Sequence, residues 1–112
     1  ATCELAWTNC IKGVRRFRHL WHGMMRASEH GENYHATQKP VALMRWVLTL
    51  RWMPELGATI LDPFMGSGTT GVACVQMGRN FIGIEIDPTY YAIAEKRIAE
   101  AQMQPSLLEA AE

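Results

Sequence analysis

Residues 59–71 read TILDPFMGSGTTG, a short apolar run followed by three closely spaced glycines. The apolar run favours a strand, and the stretch from Thr69 to Met77 favours a helix that Gly78 ends. Glycine between a strand and a helix permits positive φ angles and lets a ligand approach the backbone closely. The segment therefore predicts a strand–loop–helix unit with a ligand site at the loop.

The flanking sequence alternates between predicted helices and strands. Apolar residues at helical spacing follow Pro40, which suits the first position of a helix, and Asp87 with Pro88 supplies an N-cap and a first-turn proline. The predicted elements are a helix over 40–53, a buried parallel strand over 59–61, a helix over 69–77, a second buried strand over 80–86 and a helix over 88–103. This order is typical of the α/β class with a mostly parallel sheet.

The amino-terminal third is less regular. Residues 2–8 predict a short strand, and residues 10–36 predict a long loop with one helical turn around 15–26. The chain therefore divides into a loop-rich region over 1–34, a βαβ region over 35–104 and a frayed tail over 105–112.

The composition excludes several classes of protein. With 112 residues, 48% hydrophobic and 20% charged, the chain resembles one ordinary globular domain. No apolar run has the length of a membrane span, and no signal segment opens the sequence. The cysteines show no metal-finger spacing, and His19 and His22 lack nearby ligand partners. We therefore expect no membrane, no metal and a reducing, cytoplasmic compartment.

The net charge of zero is unevenly distributed along the chain. Residues 1–52 carry a net +5 from eight Lys and Arg against three Asp and Glu, and residues 53–112 carry −5 from three against eight. Such an asymmetry indicates that the basic half faces a polyanion, although a solvated basic surface has the same composition.

Two kinds of ligand suit a glycine loop of this type, a dinucleotide and S-adenosylmethionine. Both need an acid for the ribose hydroxyls, and Glu85 near the end of the next strand supplies one. Asp62, directly before the loop, favours S-adenosylmethionine because its carboxylate attracts the ammonium of that cofactor. The same carboxylate would repel a pyrophosphate, by about 4 kcal/mol for unit charges roughly 4 Å apart at an effective dielectric of ~20. The alternative is a structural role in which Asp62 only caps the turn.

At these residues the sequence resembles DNA adenine-N6 and cytosine-N4 methyltransferases. Residues 62–70 (DPFMGSGTT) are similar to the cofactor loop of that family, and residues 83–87 (GIEID) to its ribose-binding strand end. Residues 35–40 (HATQKP) are similar to its His-Pro-Thr-Gln-Lys-Pro segment, with Ala36 in place of the usual proline. This order is that of the permuted branch, in which the catalytic half precedes the cofactor half. The resemblance covers residues 35–100 closely and residues 1–34 loosely, and it implies a partial Rossmann-like, S-adenosylmethionine-dependent methyltransferase fold.

The resemblance also implies a role for each matching residue. Asp62 would meet the ammonium of S-adenosylmethionine, and Phe64 would pack on the bound cofactor. Glu85 would take the ribose hydroxyls, with Ile86 beside the adenine. The other implied cofactor contacts, which line the methionine portion or close the pocket, come from Gly66, Ser67, Gly68, Thr69, Thr37 and Lys39. For Lys39 the alternative is a solvated lysine beside a helix start.

The catalytic motif of that family is missing. Family members hold the target amino group with an Asp, Asn or Ser followed by Pro-Pro and an aromatic residue, and no two prolines of this chain are adjacent. Asp62 belongs to the glycine loop and Asp87 suits an N-cap, so we assign no catalytic residue. We expect the motif upstream, in a longer chain or in the other half of a split enzyme. The incomplete sheet predicts self-association or a second polypeptide.

Residues 12–26 (KGVRRFRHLWHGMMR) interleave basic and aromatic side chains. In the family that the sequence resembles, the region before the His-x-Thr-Gln-Lys-Pro segment carries target recognition. The arginines that could hold phosphates or read guanine edges of double-stranded DNA are Arg15, Arg16, Arg18 and Arg26. The alternative is a basic loop that Phe17 and Trp21 anchor to the core.

Three functional classes follow from these observations. The first is the cofactor-binding fragment of a site-specific DNA amino-methyltransferase, of bacterial or phage origin and of the restriction-modification kind. The second is a non-catalytic module or regulatory subunit that retains the pocket. The third is a dinucleotide-binding oxidoreductase domain, which would bind NAD in preference to S-adenosylhomocysteine.

Overall fold

The computed structural model describes residues 6, 8, 15–19, 21–22, 25–26, 38–50 and 57–104. In chain order the elements are β1 (Trp21–His22), β2 (Met25–Arg26), α1 (Val41–Leu48), β3 (Thr59–Asp62), α2 (Thr69–Gln76), β4 (Asn80–Gly83) and α3 (Pro88–Gln102). The predicted tail over 105–112 lies outside the described residues, as does the predicted strand over 2–8 except for residues 6 and 8.

A βαβ unit forms the centre of the described fold. β3 and β4 pair in parallel, with Thr59 opposite Asn80 and Asp62 opposite Gly83. α2 connects the two strands and packs against α1, α3 and β4. The predicted α/β class with a parallel sheet is therefore confirmed. Because the strands run the same way, their carboxyl ends meet at one edge of the sheet, which is where open α/β sheets bind ligands.

The core lies on one face of the β3–β4 pair. Its buried members are Val41, Leu48, Val72, Ala73, Cys74 and Ala101. Ile60 and Phe81, which are neighbours across the two strands, pack against this cluster. Side chains alternate between the faces of a strand, so Leu61 and Ile82 lie on the other face, where they are 58% and 55% exposed. The strands are therefore half-buried on one face and exposed on the other, so the prediction of buried strands is wrong.

α1 begins and ends at different residues from those predicted. Pro40 is its N-cap, with φ −67° and ψ 140°, rather than its first helical residue. The helix ends at Leu48 instead of residue 53, and side chains hydrogen-bond two of the carbonyls that lack helical partners there. The Thr49 hydroxyl donates to the Trp46 carbonyl at 2.6 Å, and Arg79 donates to the Leu48 carbonyl at 3.3 Å.

β4 ends at Gly83, three residues before the predicted end at Ile86. After Gly83 the backbone pairs with the glycine loop instead of extending the strand. The Ile84 amide donates to the Asp62 carbonyl at 3.0 Å, and the Met65 amide donates to the Ile84 carbonyl at 3.0 Å. The two segments that follow the strands are thereby joined to each other.

The helical turn predicted around 15–26 is wrong. β1 and β2 pair in antiparallel fashion, with Trp21 opposite Arg26 and His22 opposite Met25. His22 and Met25 lie opposite each other with only two residues between them in the sequence, which suits a short hairpin. Residues 15–26 also have no apolar period that would favour a helix.

In the part of the chain that the structure describes, no helix combines the length and the apolar character needed to cross a bilayer.

Candidate functional site

The glycine loop lies between β3 and α2, at the carboxyl edge of the sheet. Gly68 is the N-cap of α2 and has φ 86°, in the left-handed region that favours glycine. A Cβ atom at Gly68 would lie 2.9 Å from both Cα and Cβ of Ala94 on α3. Glycine is therefore required twice at this position, for the backbone conformation and for the close approach of α3.

Gly71, the last of the three glycines, is required for close packing and not, as the sequence suggests, for the approach of a ligand. A Cβ atom at Gly71 would lie 2.5 Å from Cδ1 of Ile98 and 2.8 Å from Cε2 of Phe81. Gly71 is buried inside α2. It therefore allows α2, α3 and β4 to pack closely, and it does not shape the ligand loop.

Asp62 ends β3, and its two carboxylate oxygens accept hydrogen bonds from the glycine loop and from the first turn of α2. Oδ1 accepts from the Phe64 amide at 3.0 Å, and Oδ2 accepts from the Thr70 hydroxyl at 2.7 Å. The turn-capping role that the sequence leaves open is thus present. Each carboxylate oxygen has a second lone pair, and the side chain is only half-buried. The cap therefore fixes the direction of the carboxylate and leaves it able to accept from a ligand.

Glu85 joins the two segments of the site. Its Oε1 accepts from the Gly66 amide at 2.9 Å, and its Oε2 accepts from the Asp87 amide at 2.8 Å. Asp87 in turn caps α3, since its Oδ1 accepts from the Thr89 amide at 2.8 Å. The structure therefore brings the two predicted acids to one edge of the sheet, with Asp62 at the end of β3 and Glu85 two residues after the end of β4.

Two large apolar side chains of the site are exposed. Phe64 is 88% exposed and Ile86 is 98% exposed. Phe64 follows Asp62 in the glycine loop, and Ile86 follows Glu85. Each predicted apolar contact thus stands next to a predicted polar one, so a ligand held by the two acids would also cover apolar surface.

Ser67 and Thr69 do not offer their side chains to an open pocket. Both are buried, and the Ser67 hydroxyl donates to Oε1 of Gln38 at 3.2 Å. A cofactor contact by Ser67 would therefore come from its backbone. Gln38 is not among the predicted site residues, although it stands between Thr37 and Lys39. Thr37 lies outside the described residues, and Lys39 is half-buried.

Arg97 of α3 also contacts this loop and is a residue that the sequence does not predict. Its Nη1 donates to the Ser67 carbonyl at 2.7 Å. Helical spacing places Arg97 next to the inner-face residues Ala94 and Ala101 and places Lys96 on the opposite side, but it does not show that Arg97 reaches Ser67.

The predicted basic loop is attached to α1. The rings of Phe17 and Trp46 lie 5.4 Å apart, centroid to centroid, so Phe17 contacts α1 at a half-buried residue outside the core cluster. Arg15, Arg16 and Arg18 are exposed on either side of it, and Arg26 lies in β2. The contact of Phe17 with α1 and the exposed arginines are therefore found in the same short segment.

Cys74 of α2 is a buried thiol. Burial raises its pKa from 9.0 to about 11, Asp62 adds to the rise and Arg79 opposes it. The thiol is protonated at neutral pH and is no nucleophile there, since the thiolate is the reactive form. Within residues 38–50 and 57–104, as in the shorter described pieces, no three His, Cys, Asp or Glu side chains form a group that could hold a metal ion.

Comparisons with known proteins identify the family of this chain. A family model described as DNA methylase matches residues 7–96, so the match extends into the region before residue 35, where the resemblance is loose. The chain is 42% identical over 81 residues to the type II methyltransferase M.HinfI of Haemophilus influenzae. It is 39% identical over 85 residues to the type II methyltransferase M2.DpnII of Streptococcus pneumoniae.

These matches cover most of this chain and a minor part of each relative. They span 72% and 75% of the chain, against 22% of M.HinfI and 31% of M2.DpnII. The chain thus corresponds to between a fifth and a third of the length of these relatives.

Solved structures also match most of this chain and only a minor part of their own length. The complex of M1.HpyAVI with SAM superposes with a TM-score of 0.59 at 43% identity, over 66% of this chain and 35% of that one. TTHA0409 of Thermus thermophilus, complexed with S-adenosyl-L-methionine, superposes with a TM-score of 0.51 at 35% identity, over 56% of this chain and 26% of that one. The α/β fold is therefore part of the fold of these proteins.

Proposed function

This chain belongs to the DNA methylase family, and we propose that it is the cofactor-binding part of an S-adenosylmethionine-dependent DNA methyltransferase. The target is an exocyclic amino group, adenine N6 or cytosine N4. One observation carries the proposal: Asp62 ends β3, Glu85 follows the end of the adjacent parallel strand β4 by two residues, and loop amides fix the directions of both carboxylates.

The two acids suit the two ends of S-adenosylmethionine. The ribose presents two hydroxyl donors, which a carboxylate accepts well, and the amino acid end presents an ammonium. A dinucleotide has the ribose but replaces the ammonium by a pyrophosphate, which the Asp62 carboxylate would repel. The structures of M1.HpyAVI and TTHA0409 are complexes with S-adenosylmethionine, which supports the same ligand for this chain.

The bound cofactor would supply an electrophilic methyl group on its sulfonium. Asp62 would orient the amino acid end and Glu85 the ribose, so the methyl group would be held at the carboxyl edge of the sheet. Phe64 and Ile86 would cover the apolar surface of the cofactor. Fixing the methyl group in this way lowers the entropic part of the barrier to transfer.

The chemistry that frees and aims the target amine is not assigned to any residue of this chain. We propose that it comes from the portion of the relatives that this chain does not match, whether in one polypeptide or in a separate subunit. The coverage of only 22% and 31% of the curated relatives supports this. The apolar outer face of β3 and β4, formed by Leu61 and Ile82, supports a covering partner because exposed apolar patches mark interaction sites.

DNA is the proposed substrate of the whole assembly. The exposed arginines at 15, 16 and 18 sit on a segment that Phe17 fixes to α1, so they would contact phosphates from a defined position. The curated relatives come from bacteria, and we infer action on bacterial or phage DNA in the cytoplasm.

Calorimetric titration with S-adenosylhomocysteine and with NAD tests the proposal. We expect S-adenosylhomocysteine to bind, and Asp62→Asn to weaken it about 10- to 100-fold through loss of a hydrogen bond to a charged group. Asn keeps the acceptor for the Phe64 amide, so the loop retains its turn. Glu95→Gln removes one charge from an exposed position of α3 and serves as the matched control.

The dinucleotide alternative predicts the opposite sign. If the ligand were NAD, Asp62→Asn would remove a repulsion and tighten its binding. Binding of NAD in preference to S-adenosylhomocysteine, strengthened by this substitution, would overturn the proposal.

A further inference from the structure

Arg97 of α3 forms hydrogen bonds to the glycine loop and to the start of α2. Nη1 of Arg97 donates to the Ser67 carbonyl at 2.7 Å, to the Ser67 hydroxyl at 3.0 Å and to the Thr69 hydroxyl at 3.3 Å. The shortest of these contacts reaches the backbone of the loop. Arg97 is part-buried, so water screens these bonds less than it would at the surface.

The contact with the carbonyl fixes a peptide group that matters for the site. The Ser67 carbonyl and the Gly68 amide belong to the same planar peptide unit. Arg97 binds the carbonyl end of this unit, and the Gly68 amide donates to the Met65 carbonyl at 2.9 Å. The unit is therefore held at both ends, directly before the first residue of α2.

The same network reaches a third part of the chain. The Ser67 hydroxyl accepts from Arg97 and donates to Oε1 of Gln38 at 3.2 Å. Gln38, Ser67 and Thr69 are the buried polar residues among those that the structure describes. Buried polar groups are costly unless hydrogen-bonded, so each member of the network depends on the others. The segment before α1 is thereby coupled to the loop and to α3.

We infer that Arg97 is a positioning residue, which holds the glycine loop in its ligand-binding form and couples it through Ser67 to Gln38. This inference rests on the proposed cofactor site, but the loop geometry can be measured without any ligand. When Arg97 is replaced, the 67–68 peptide is held at one end only and the loop samples other conformations. The affinity for a cofactor then falls by the fraction of molecules that remain competent.

The substitution Arg97→Met tests the inference, because Met keeps an unbranched apolar stem and removes the donors. Lys96→Met is the matched control, since Lys96 is the adjacent residue of α3, has a side chain that is 78% exposed and pairs only weakly with Glu100 at 4.0 Å. Two readouts are needed: the affinity for S-adenosylhomocysteine, and hydrogen exchange of the Gly68 amide without ligand.

We expect Arg97→Met to weaken binding about tenfold and to accelerate exchange of the Gly68 amide, while amides in the middle of α2 exchange as before. Lys96→Met should change neither quantity by more than about twofold. Arg97→Lys, which keeps a charged donor, should recover part of both losses. If Arg97→Met does not fold, Arg97→Lys is compared with Lys96→Met in its place.

The outcomes separate the inference from the proposed function. Accelerated exchange of Gly68 without any binding by the wild-type chain would support the loop-holding role and reject the cofactor. Wild-type binding together with equal behaviour of Arg97→Met and Lys96→Met would overturn the inference and leave the cofactor site standing. Uniform acceleration of exchange throughout α2 and α3 would also overturn it, since Arg97 would then stabilise the fold without positioning the loop.

Discussion

Gly57 and Gly68 offer a comparison in which backbone strain and steric contact can be separated. Their φ angles are 83° and 86°, so alanine at either position meets the same unfavourable conformation. A Cβ atom at Gly57 would have nothing within 4 Å, whereas one at Gly68 would lie 2.9 Å from Ala94. The two substitutions therefore differ in the contact with α3 alone.

The magnitudes follow from these two contributions. Left-handed backbone costs a non-glycine residue about 1–2 kcal/mol, which is the loss expected for Gly57→Ala. Gly68→Ala adds overpacking against the backbone of α3, which costs about 1–3 kcal/mol. The total expected for Gly68→Ala is therefore about 2–5 kcal/mol. Each additional kcal/mol corresponds to about 4–8 °C in the melting temperature of a domain of this size.

Urea unfolding followed by circular dichroism measures both losses, and the binding of S-adenosylhomocysteine gives a second readout. Gly57→Ala should keep the wild-type affinity, because residue 57 precedes β3 at the end opposite the loop. Gly68→Ala should weaken binding, because α3 is pushed away from the loop. Equal losses of stability in the two variants would refute the reasoning, since the close approach of Ala94 would then have no energetic consequence.

Further predictions concern the basic loop, the outer face of the sheet and the buried thiol. Replacing Arg15 and Arg16 by alanine should lower the slope of log K against log salt for DNA binding by about 1.8, or roughly 0.9 per lost phosphate contact; an unchanged slope would remove these residues from the DNA site. The chain should self-associate in sedimentation experiments, and Ile82→Thr on the outer sheet face should reduce this self-association. Met103→Thr, which alters a still more exposed apolar side chain just after α3, should reduce it less. A monomer at all concentrations would count against a covering partner. Iodoacetamide should label Cys74 at neutral pH only after unfolding, as read by peptide mass, because burial keeps the thiol protonated; rapid labelling of the native chain would show that the site is open.

The strand–loop–helix unit can be predicted because its signals are local. The apolar run before Asp62, the glycines of the loop and the Asp87–Pro88 cap each act over a few residues. The structure confirms β3, α2 and α3 close to their predicted bounds, with Asp87 accepting from the Thr89 amide as an N-cap should.

The features that sequence patterns miss depend on contacts between distant segments. At the end of α1, the Leu48 carbonyl accepts from Arg79, which lies 31 residues later in the chain. β4 ends early because the chain after Gly83 pairs with the glycine loop. The motif spacing also makes Gly71 part of the ligand loop, whereas its tight neighbours, Ile98 and Phe81, come from α3 and β4. Periodicity and spacing carry no information about such partners.

The two acids of the candidate site can be predicted from the sequence, but the residues that hold the glycine loop in place cannot. Asp62 and Glu85 can be predicted as candidates because carboxylates near the carboxyl ends of parallel strands face the ligand-binding edge of an open α/β sheet, and the structure brings both to one edge of the sheet. Gln38 and Arg97 are missed because a glutamine before a helix and an arginine within one are common in any surface sequence. Only the three-dimensional arrangement shows that both contact Ser67.

A crystal structure of the chain with S-adenosylhomocysteine would be the most direct measurement of the central claim. We predict that the ligand amine lies within hydrogen-bond distance of the Asp62 carboxylate and that both ribose hydroxyls donate to Glu85, with Phe64 and Ile86 covered. A ligand bound elsewhere, or one whose amine and ribose avoid these two carboxylates, would contradict the account.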